Sequence, residues 1–220
     1  GSKFTKALYI DLLAMLFEIL AKVRKEGLMS IEADVEDPHA SPIFGKYPTL
    51  QNDHHVMEFI TDYLRMMVGG NLNTVEIESL MDMEIETHHH EVEVPGHVVS
   101  KVADGVPAFG IVVAVMGVVN VMGSVGQPPA VLGKVIGGAL VGTFLGILIS
   151  YGFVAPVASL LEQKSHESSK IYQCIKVVLL ASMSGYAPQV AVEFGRKVLE
   201  SGVRPSFREL EEELKARKGK

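Results

Sequence analysis

Residues 105–161 decide the fold of this chain, and they read GVPAFGIVVAVMGVVNVMGSVGQPPAVLGKVIGGALVGTFLGILISYGFVAPVASLL. Lys134 is the only charged side chain among these 57 residues. A bilayer-spanning helix needs about 20 apolar residues, and the runs on either side of the segment SVGQPPA (124–130) are both long enough. Two helices buried in a soluble core are the alternative, but a chain of 220 residues has too little further mass to cover both. The stretch therefore predicts a membrane hairpin with a short connection.

Charge divides the chain into three parts. Residues 1–104 carry 8 basic and 18 acidic side chains, and residues 162–220 carry 11 basic and 8 acidic ones, so that with Lys134 the net charge is −6. We expect a cytoplasmic helical domain over 1–104, two transmembrane helices with a short outer loop over 105–161, and C-terminal cytoplasmic helices over 162–220.

The basic residues beside the hairpin predict its orientation. The connecting segment 124–130 has no Lys or Arg, whereas Lys101 precedes the first span and Lys164, Lys170 and Lys176 follow the second. Because loops rich in Lys and Arg stay in the cytoplasm, we expect both tails on the cytoplasmic side and the short loop outside.

Outside the hairpin, apolar residues recur with helical spacing, and the whole chain is predicted to be all-α. Gly, Pro and Asn-Thr signals mark where the helices begin and end. The expected helices cover residues 6–26, 30–37, 54–68 and 75–94 before the hairpin, and 162–183, 189–200 and 208–217 after it.

Composition and motifs argue against several classes of function. The lone Cys174 excludes an internal disulfide and a multi-cysteine metal site. A net negative charge without a Lys/Arg-rich run argues against nucleic acid as a partner. Because no phosphate-binding loop, nucleophile elbow or HExxH motif is present, we expect no enzyme, no catalytic residue and no cofactor. The consecutive His88, His89 and His90 point about 100° apart on a helix, which predicts a solvated face and no metal site.

Small residues recur in the second span. Gly138, Gly142, Gly146 and Ser150 follow one another at every fourth position. Such spacing lets the backbone of a neighbouring helix approach closely, and we expect a packing face there. The neighbouring helix can belong to this chain or to another.

The spans contain few polar side chains: Asn120 in the first, and Thr143, Ser150 and Tyr151 in the second. An ion pathway normally needs a carboxylate or a histidine at membrane depth, and neither is present. The protein is then either a scaffold or one wall of a pathway whose titratable group comes from a partner. The hydroxyl of Thr143 could line such a pathway. A hydroxyl that bonds to the backbone of its own helix is at least an equal alternative.

Two prolines and one charged pair are the remaining candidate functional residues. Pro107 opens the first span, and Pro156 lies near the end of the second, where it would kink the chain. Arg24 and Glu32 flank the turn at Gly27, and by themselves they are typical of solvated surface charge.

Five blocks of the chain closely resemble MotA, the motility proteins of the bacterial flagellar stator, and more distantly the TolQ/ExbB proton-channel proteins. The resemblance covers essentially the whole chain. The blocks are residues 22–44, 59–88, 104–119 (DGVPAFGIVVAVMGVV), 141–158 (VGTFLGILISYGFVAPVA) and 185–214.

The resemblance implies a multi-pass protein of the bacterial inner membrane. Members of the family have four transmembrane helices, and this chain is similar to the part that begins after the second one, so its hairpin corresponds to the third and fourth spans. The resemblance also implies a homo-oligomeric ring, a pentamer, around the MotB protein, whose aspartate carries the transported H+. Torque is then exerted on the rotor protein FliG.

Single residues acquire roles only through this resemblance. Thr143 matches the family's channel-lining threonine, and Pro107 and Pro156 match the prolines that couple proton passage to cytoplasmic movement. Arg24 and Glu32 match the charged pair that contacts FliG.

Two other functions stay open at this point. One is a TolQ/ExbB-type proton channel that energises an envelope process, and the other is a membrane scaffold that conducts no ion. The charged turn between Arg24 and Glu32 and the tail RPSFRELEEEL (204–214) favour a stator.

Overall fold

The computed structural model describes residues 3–70, 73–123 and 125–218, so Ser124 of the predicted connection lies outside the described residues. The described part of the chain is helical and contains no strand, as the sequence predicted. Single 3₁₀ turns cover Leu28–Ile31 and Phe44–Lys46, and a π-helical turn covers Ser150–Val154. The α-helices are α1 (Lys6–Glu26), α2 (Glu32–Glu36), α3 (Pro48–Gln51), α4 (His54–Gly69), α5 (Thr74–Met122), α6 (Pro129–Ile149), α7 (Ala155–Met183), α8 (Pro188–Val198) and α9 (Phe207–Lys218).

The described residues form two compact units. The helical domain comprises the described residues of 1–89 and 167–220, and the hairpin unit comprises His90–His166. Because α5 and α7 each contribute residues to both units, these boundaries differ from the three predicted parts, although residues 105–161 all belong to the hairpin unit.

Helix α1 is the centre of the helical domain. It contacts α3, α8 and α9, and its apolar side chains from Leu12 to Leu20 are almost fully buried. Burying one such side chain contributes about 1.5–3 kcal/mol, so α1 supplies a large share of the core. Gly195 of α8 permits this packing, because a Cβ there would lie 2.9 Å from Leu13 Cδ2 and 3.1 Å from Cys174 Sγ.

Three charged side chains of α1 hold neighbouring elements. Asp11 binds Arg217 of α9 at 2.8 Å, and Glu18 accepts hydrogen bonds from Lys46 at 2.6 Å and from the hydroxyl of Tyr47 at 2.7 Å. Lys22 binds a carboxylate of α2 at 2.6 Å, as described below. The polar residues of α1 therefore anchor the segments that cover its solvent side.

The histidine triplet departs from the prediction of a solvated face. The His88 ring packs against the Tyr172 ring with centroids 4.6 Å apart, and His89 Nδ1 lies 3.0 Å from Ser169 Oγ, while His90 is exposed. Consecutive residues of a helix point in different directions, and here His88 and His89 face α7, which explains why they are not solvated. Burial raises the pKa of Tyr172 to about 12.

Helix α5 begins with a reciprocal cap. Asn73 Oδ1 accepts hydrogen bonds from the backbone N–H groups of Val75 and Glu76, both at 3.0 Å. In return, Glu76 Oε2 accepts the N–H of Asn73 at 2.9 Å. These bonds satisfy donors that the first turn of a helix leaves unpaired, which explains why the helix starts here.

The structure corrects the prediction that an acidic helix over 75–94 is separate from the first span. Both belong to α5, and Pro95 and Pro107 lie inside it. A proline in a helix interior costs about 3 kcal/mol, which has to be offset by packing. In the hairpin unit α5 packs closely against its neighbours, and at Gly96 a Cβ would lie 3.0 Å from Glu162 Cγ of α7.

The hairpin unit exposes its apolar side chains. Phe109 is 73% exposed, Met116 67% and Phe144 62%, which is the reverse of a soluble core. Within the described residues, two helices are long and apolar enough to cross a membrane, and they contain the two predicted spans. Such large exposed apolar surfaces need lipid or protein to cover them.

Candidate functional site in the α5–α6 hairpin and the α1–α2 turn

The backbones of α5 and α6 touch at glycines. A Cβ on Gly110 of α5 would lie 2.8 Å from the carbonyl oxygen of Gly142, and a Cβ on Gly142 would lie 2.7 Å from Val113 Cγ1. A Cβ on Gly146 would lie 3.2 Å from the Cα of Gly110. Real Cβ atoms essentially never come within 3.0 Å of another heavy atom, and 3.2 Å would require the neighbour to shift, so the glycines allow the two helices to meet.

Of the three glycines predicted to form a packing face, Gly142 and Gly146 lie against α5, whereas Gly138 does not. Nothing lies within 4 Å of a Cβ built on Gly138, and the contact is made by Ala139, which is 7% exposed and faces Gly117. An α-helix has about 3.6 residues per turn, so residues four positions apart are rotated by about 40° around the helix axis. A series with this spacing therefore turns away from a straight neighbouring helix. A role of Gly138 in packing against another chain stays a prediction.

Thr143 lies at the point of closest approach. Its hydroxyl donates a hydrogen bond to the carbonyl oxygen of Gly110 at 3.2 Å, and the side chain is half-buried. The bond crosses to the neighbouring helix, so the alternative of a bond to its own helix is wrong. A hydroxyl that donates once can still accept from another donor. The role of Thr143 in lining an ion pathway stays a prediction.

Pro107 leaves a backbone carbonyl without its helical partner. A proline has no N–H, and the carbonyl four residues earlier in α5 belongs to Ala103. The hydroxyl of Ser150 donates to this oxygen at 2.5 Å, and both residues are buried, at 0% exposure for Ser150 and 4% for Ala103. Ser150 therefore satisfies the acceptor that Pro107 frees.

Pro156 is preceded by a widened turn. The π-helical turn covers Ser150–Val154, and the N–H of Ala155 bonds to the carbonyl of Ser150, five residues earlier. The ring of a proline clashes with the carbonyl four residues before it, here that of Gly152, and a π turn is one way in which a helix relieves such a clash. The predicted kink is therefore a local widening between α6 and α7.

Sequence reasoning noted Ser150 as a small and polar residue of the second span but missed its link to the two prolines. Its hydroxyl bonds to the carbonyl freed by Pro107, and its own carbonyl takes the π-turn bond just before Pro156. The free carbonyl of Ala103 could be located by counting four residues back from Pro107. The donor could not, because it lies 47 residues further along the chain.

The second predicted site is a turn in the helical domain. Arg24 lies in the last turn of α1, and Glu32 is the first residue of α2. Between them Gly27 has φ of +89°, a conformation that side chains with a Cβ rarely adopt. Both charged residues are exposed, and within the described ranges neither makes an ion pair or a side-chain hydrogen bond.

A buried network holds this turn. Lys22 Nζ lies 2.6 Å from Asp34 Oδ2, and the hydroxyl of Ser41 donates to Asp34 Oδ1 at 2.6 Å. Asp34 is only 3% exposed, and removing one partner of such a buried ion pair is strongly destabilising. No motif marks these three residues, and sequence reasoning missed them.

Comparison with known proteins agrees with this architecture. The model of the MotA/TolQ/ExbB proton channel family matches residues 51–174. The chain is 56% identical to motility protein A of Escherichia coli (strain K12), over 98% of this chain and 73% of that protein.

Two solved structures resemble the fold. The flagellar MotAB stator complex from Bacillus subtilis matches with a TM-score of 0.65 and 26% identity, over 83% of this chain and 64% of that chain. The structure of C. jejuni MotAB matches with a TM-score of 0.71 and 19% identity, over 91% of this chain and 70% of that chain.

Exposed apolar helices joined at glycines define a helical membrane protein. The matches then identify its group: the chain belongs to the MotA/TolQ/ExbB proton channel family. The resemblance found in the sequence is thereby confirmed.

Proposed function

We propose that the chain is a stator subunit of the bacterial flagellar motor, which conducts protons together with MotB and converts the proton motive force into torque. The observation that carries this proposal is the identity of 56% with a motility protein A over 98% of the chain. The role is not enzymatic, and H+ is the transported species.

The subunit works in a ring around MotB, with five copies as the proposed number. The two similar structures are MotAB complexes. In the hairpin unit, Phe109, Met116 and Phe144 are exposed apolar side chains that lipid, further copies and MotB would cover. The protein is placed in the inner membrane with both tails in the cytoplasm, because its lysines flank the hairpin and the segment 124–130 has none.

The titratable group of the pathway comes from MotB. Residues 105–122 and 129–149 contain no Asp, Glu or His, and their polar side chains are those of Asn120, Lys134 and Thr143. Thr143 lines the pathway beside the Gly110 carbonyl, 3.2 Å from its hydroxyl. Each proton that crosses 100 mV releases about 2.3 kcal/mol.

Movement reaches the cytoplasm through the two prolines. Sliding of α6 along α5 would stretch the hydrogen bond between Ser150 and Ala103, which is the one that replaces the bond lost at Pro107. The same movement acts on the π turn that ends before Pro156, because that turn begins at Ser150. Helix α7 continues from there as Ala155–Met183 and carries the displacement onwards.

The turn between Arg24 and Glu32 contacts the rotor protein FliG. Both side chains are exposed and carry opposite charge, and the turn is held by the buried Asp34. Exposed charges can speed the association of a partner through electrostatic attraction. Because exposed ion pairs are weak, the partner can also dissociate quickly.

Complementation tests the proposal. The gene that encodes this chain is expressed with its own MotB in a bacterium that lacks motility protein A, and we expect swimming to return. Proton uptake by membrane vesicles that contain both proteins is measured in parallel. Cells that stay immotile and vesicles that conduct no more protons than those without the chain, although both proteins are in the membrane, would contradict the proposal.

A further inference from the structure

Three donor groups meet at the start of α4 in the helical domain. His54, His55 and Glu58 each offer one nitrogen or oxygen, and these three atoms all lie within 4.8 Å of one another. His54 Nδ1 is already 3.4 Å from Glu58 Oε2. All three side chains are exposed to solvent, so an ion can reach them.

Helix geometry explains why these residues converge while three consecutive histidines would not. Each residue turns the helix by about 100°, so Glu58 lies about 40° from His54 and about 60° from His55, between the two. Side chains on a helix lean towards its N-terminus, which brings the carboxylate of Glu58 back over the first turn, where both rings lie. Glu58 is thus one turn away from each histidine and can share an ion with both.

A neighbouring loop closes one side of this cluster. His39, Gln51, His54 and Glu58 are among the residues that line a pocket of about 400 Å³. The amide of Gln51, the last residue of α3, donates to the carbonyl of Pro38 at 2.9 Å and holds the loop that carries His39 against α3. His39 does not belong to the group of donor atoms within 4.8 Å of one another, so water is the fourth ligand that would complete a four-coordinate site.

The donor set selects the kind of ion. Imidazole and carboxylate together suit Zn²⁺ and similar first-row ions, whereas Ca²⁺ and Mg²⁺ prefer oxygen alone. Bonds of about 2.0–2.2 Å to a tetrahedral Zn²⁺ place its donors about 3.4 Å apart, which the pair His54–Glu58 already matches. The positive end of the α4 dipole opposes a cation here, and the carboxylate of Glu58 offsets it. Asp53, the residue before the helix, is already paired with Lys3 at 2.7 Å.

We propose that His54, His55 and Glu58 form a binding site for one Zn²⁺ ion on the helical domain, with water as the fourth donor. The ion would link three side chains of the first two turns of α4. This site is independent of the proposed proton pathway, since none of its residues belongs to the hairpin unit.

Titration with metal tests the site. The whole chain is purified in detergent without a polyhistidine tag, and Zn²⁺ binding is followed by calorimetry and Co²⁺ binding by its visible absorption. We expect one tight equivalent, with the strong absorption of four-coordinate Co²⁺. His54→Ala and Glu58→Ala should each weaken binding at least tenfold, whereas His39→Ala, which leaves all three donors in place, should have little effect.

Two further variants keep the test decisive. His97→Ala removes an exposed histidine of the hairpin unit and should leave the tight equivalent unchanged. Replacing His90, the exposed member of the triplet, should also have no effect. Wild-type affinity in His54→Ala and Glu58→Ala, or loss of the equivalent in either control variant, would overturn the proposal.

Discussion

The hydroxyl of Ser150 on the segment after α6 donates a hydrogen bond of 2.5 Å to the carbonyl of Ala103 on α5. That carbonyl has no helical donor, because Pro107 occupies the position whose N–H would reach it. The Ser150 hydroxyl thus replaces the backbone hydrogen bond that Pro107 removes from α5. The carbonyl of Ser150 also takes part in the π turn before Pro156. The two prolines are connected through a single residue.

Removing the Ser150 hydroxyl should cost more stability while Pro107 is present than after Pro107 is replaced. Ser150→Ala leaves a buried carbonyl unpaired, which costs about 1–3 kcal/mol. In a Pro107→Ala background the new N–H can bond to Ala103, so the same change should cost about 1 kcal/mol less. The free energies of unfolding of the four proteins in mixed micelles provide this double-mutant cycle. Strictly additive effects would show that Ser150 does not replace the bond lost at Pro107.

Adding a methyl group by a Gly→Ala change should lower stability at the glycines between α5 and α6 but not at the other glycines. Gly110→Ala places a Cβ 2.8 Å from the Gly142 carbonyl oxygen, and overpacking of this kind costs about 1–3 kcal/mol. Gly137→Ala meets nothing within 4 Å, so it should be neutral or stabilising by up to about 1 kcal/mol through helix propensity. Thermal unfolding of both variants measures the difference. Equal stability of the two would mean that α5 and α6 do not touch at Gly110.

The hydroxyl of Thr143 should be needed for conduction. Thr143→Val keeps the shape of the side chain but removes its hydrogen bond to Gly110, and proton flux in vesicles with MotB should fall several-fold. Thr143→Ser keeps the hydroxyl and serves as the matched control, with flux close to that of the wild type. If the valine variant conducts as well as the serine variant, Thr143 does not line the pathway.

Charge at the α1–α2 turn should affect rotation without affecting stability. Arg24→Glu should lower swimming speed several-fold and leave the unfolding midpoint unchanged, because exposed charges contribute only about 0–1 kcal/mol. Asp34→Asn should instead destabilise the domain by about 3 kcal/mol, since Asp34 is the buried partner of Lys22.

A rotor variant with the complementary charge provides the control for Arg24→Glu. Restored speed with that rotor would support direct contact. A lowered unfolding midpoint of Arg24→Glu itself would contradict the surface role.

Acid should release a contact between α9 and α1. The hydrogen bond from Lys6 Nζ, at 2.7 Å, and then that from the Ser206 N–H lower the pKa of Glu209 from 4.5 to about 2. Because the folded pKa is the lower one, this stability is fully present above 4.5 and is lost as the pH falls towards 2. Glu209→Gln should therefore be less stable than the wild type near neutral pH, and this difference should shrink as the pH falls from 4.5 through about 2. Unfolding midpoints across this range measure it, and a difference that does not change with pH would refute the assignment.

The sequence by itself determined the membrane hairpin and the family. One charged residue in the 57 of residues 105–161 is a local property of composition, and the length of each apolar run follows from the thickness of a bilayer. The exposure of Arg24 and Glu32 could also be expected, because charged side chains beside a turn are seldom buried.

Only the tertiary structure decided which side chains meet. Gly138 and Gly142 look equivalent in the sequence, yet only Gly142 faces α5, because the direction and register of the neighbouring helix choose one side of α6. The bond from Ser150 to Ala103 and the network of Lys22, Asp34 and Ser41 join residues that are distant in sequence or in different elements. Local patterns encode burial and helix ends, whereas such contacts depend on how two elements are packed together, which no single stretch of sequence specifies.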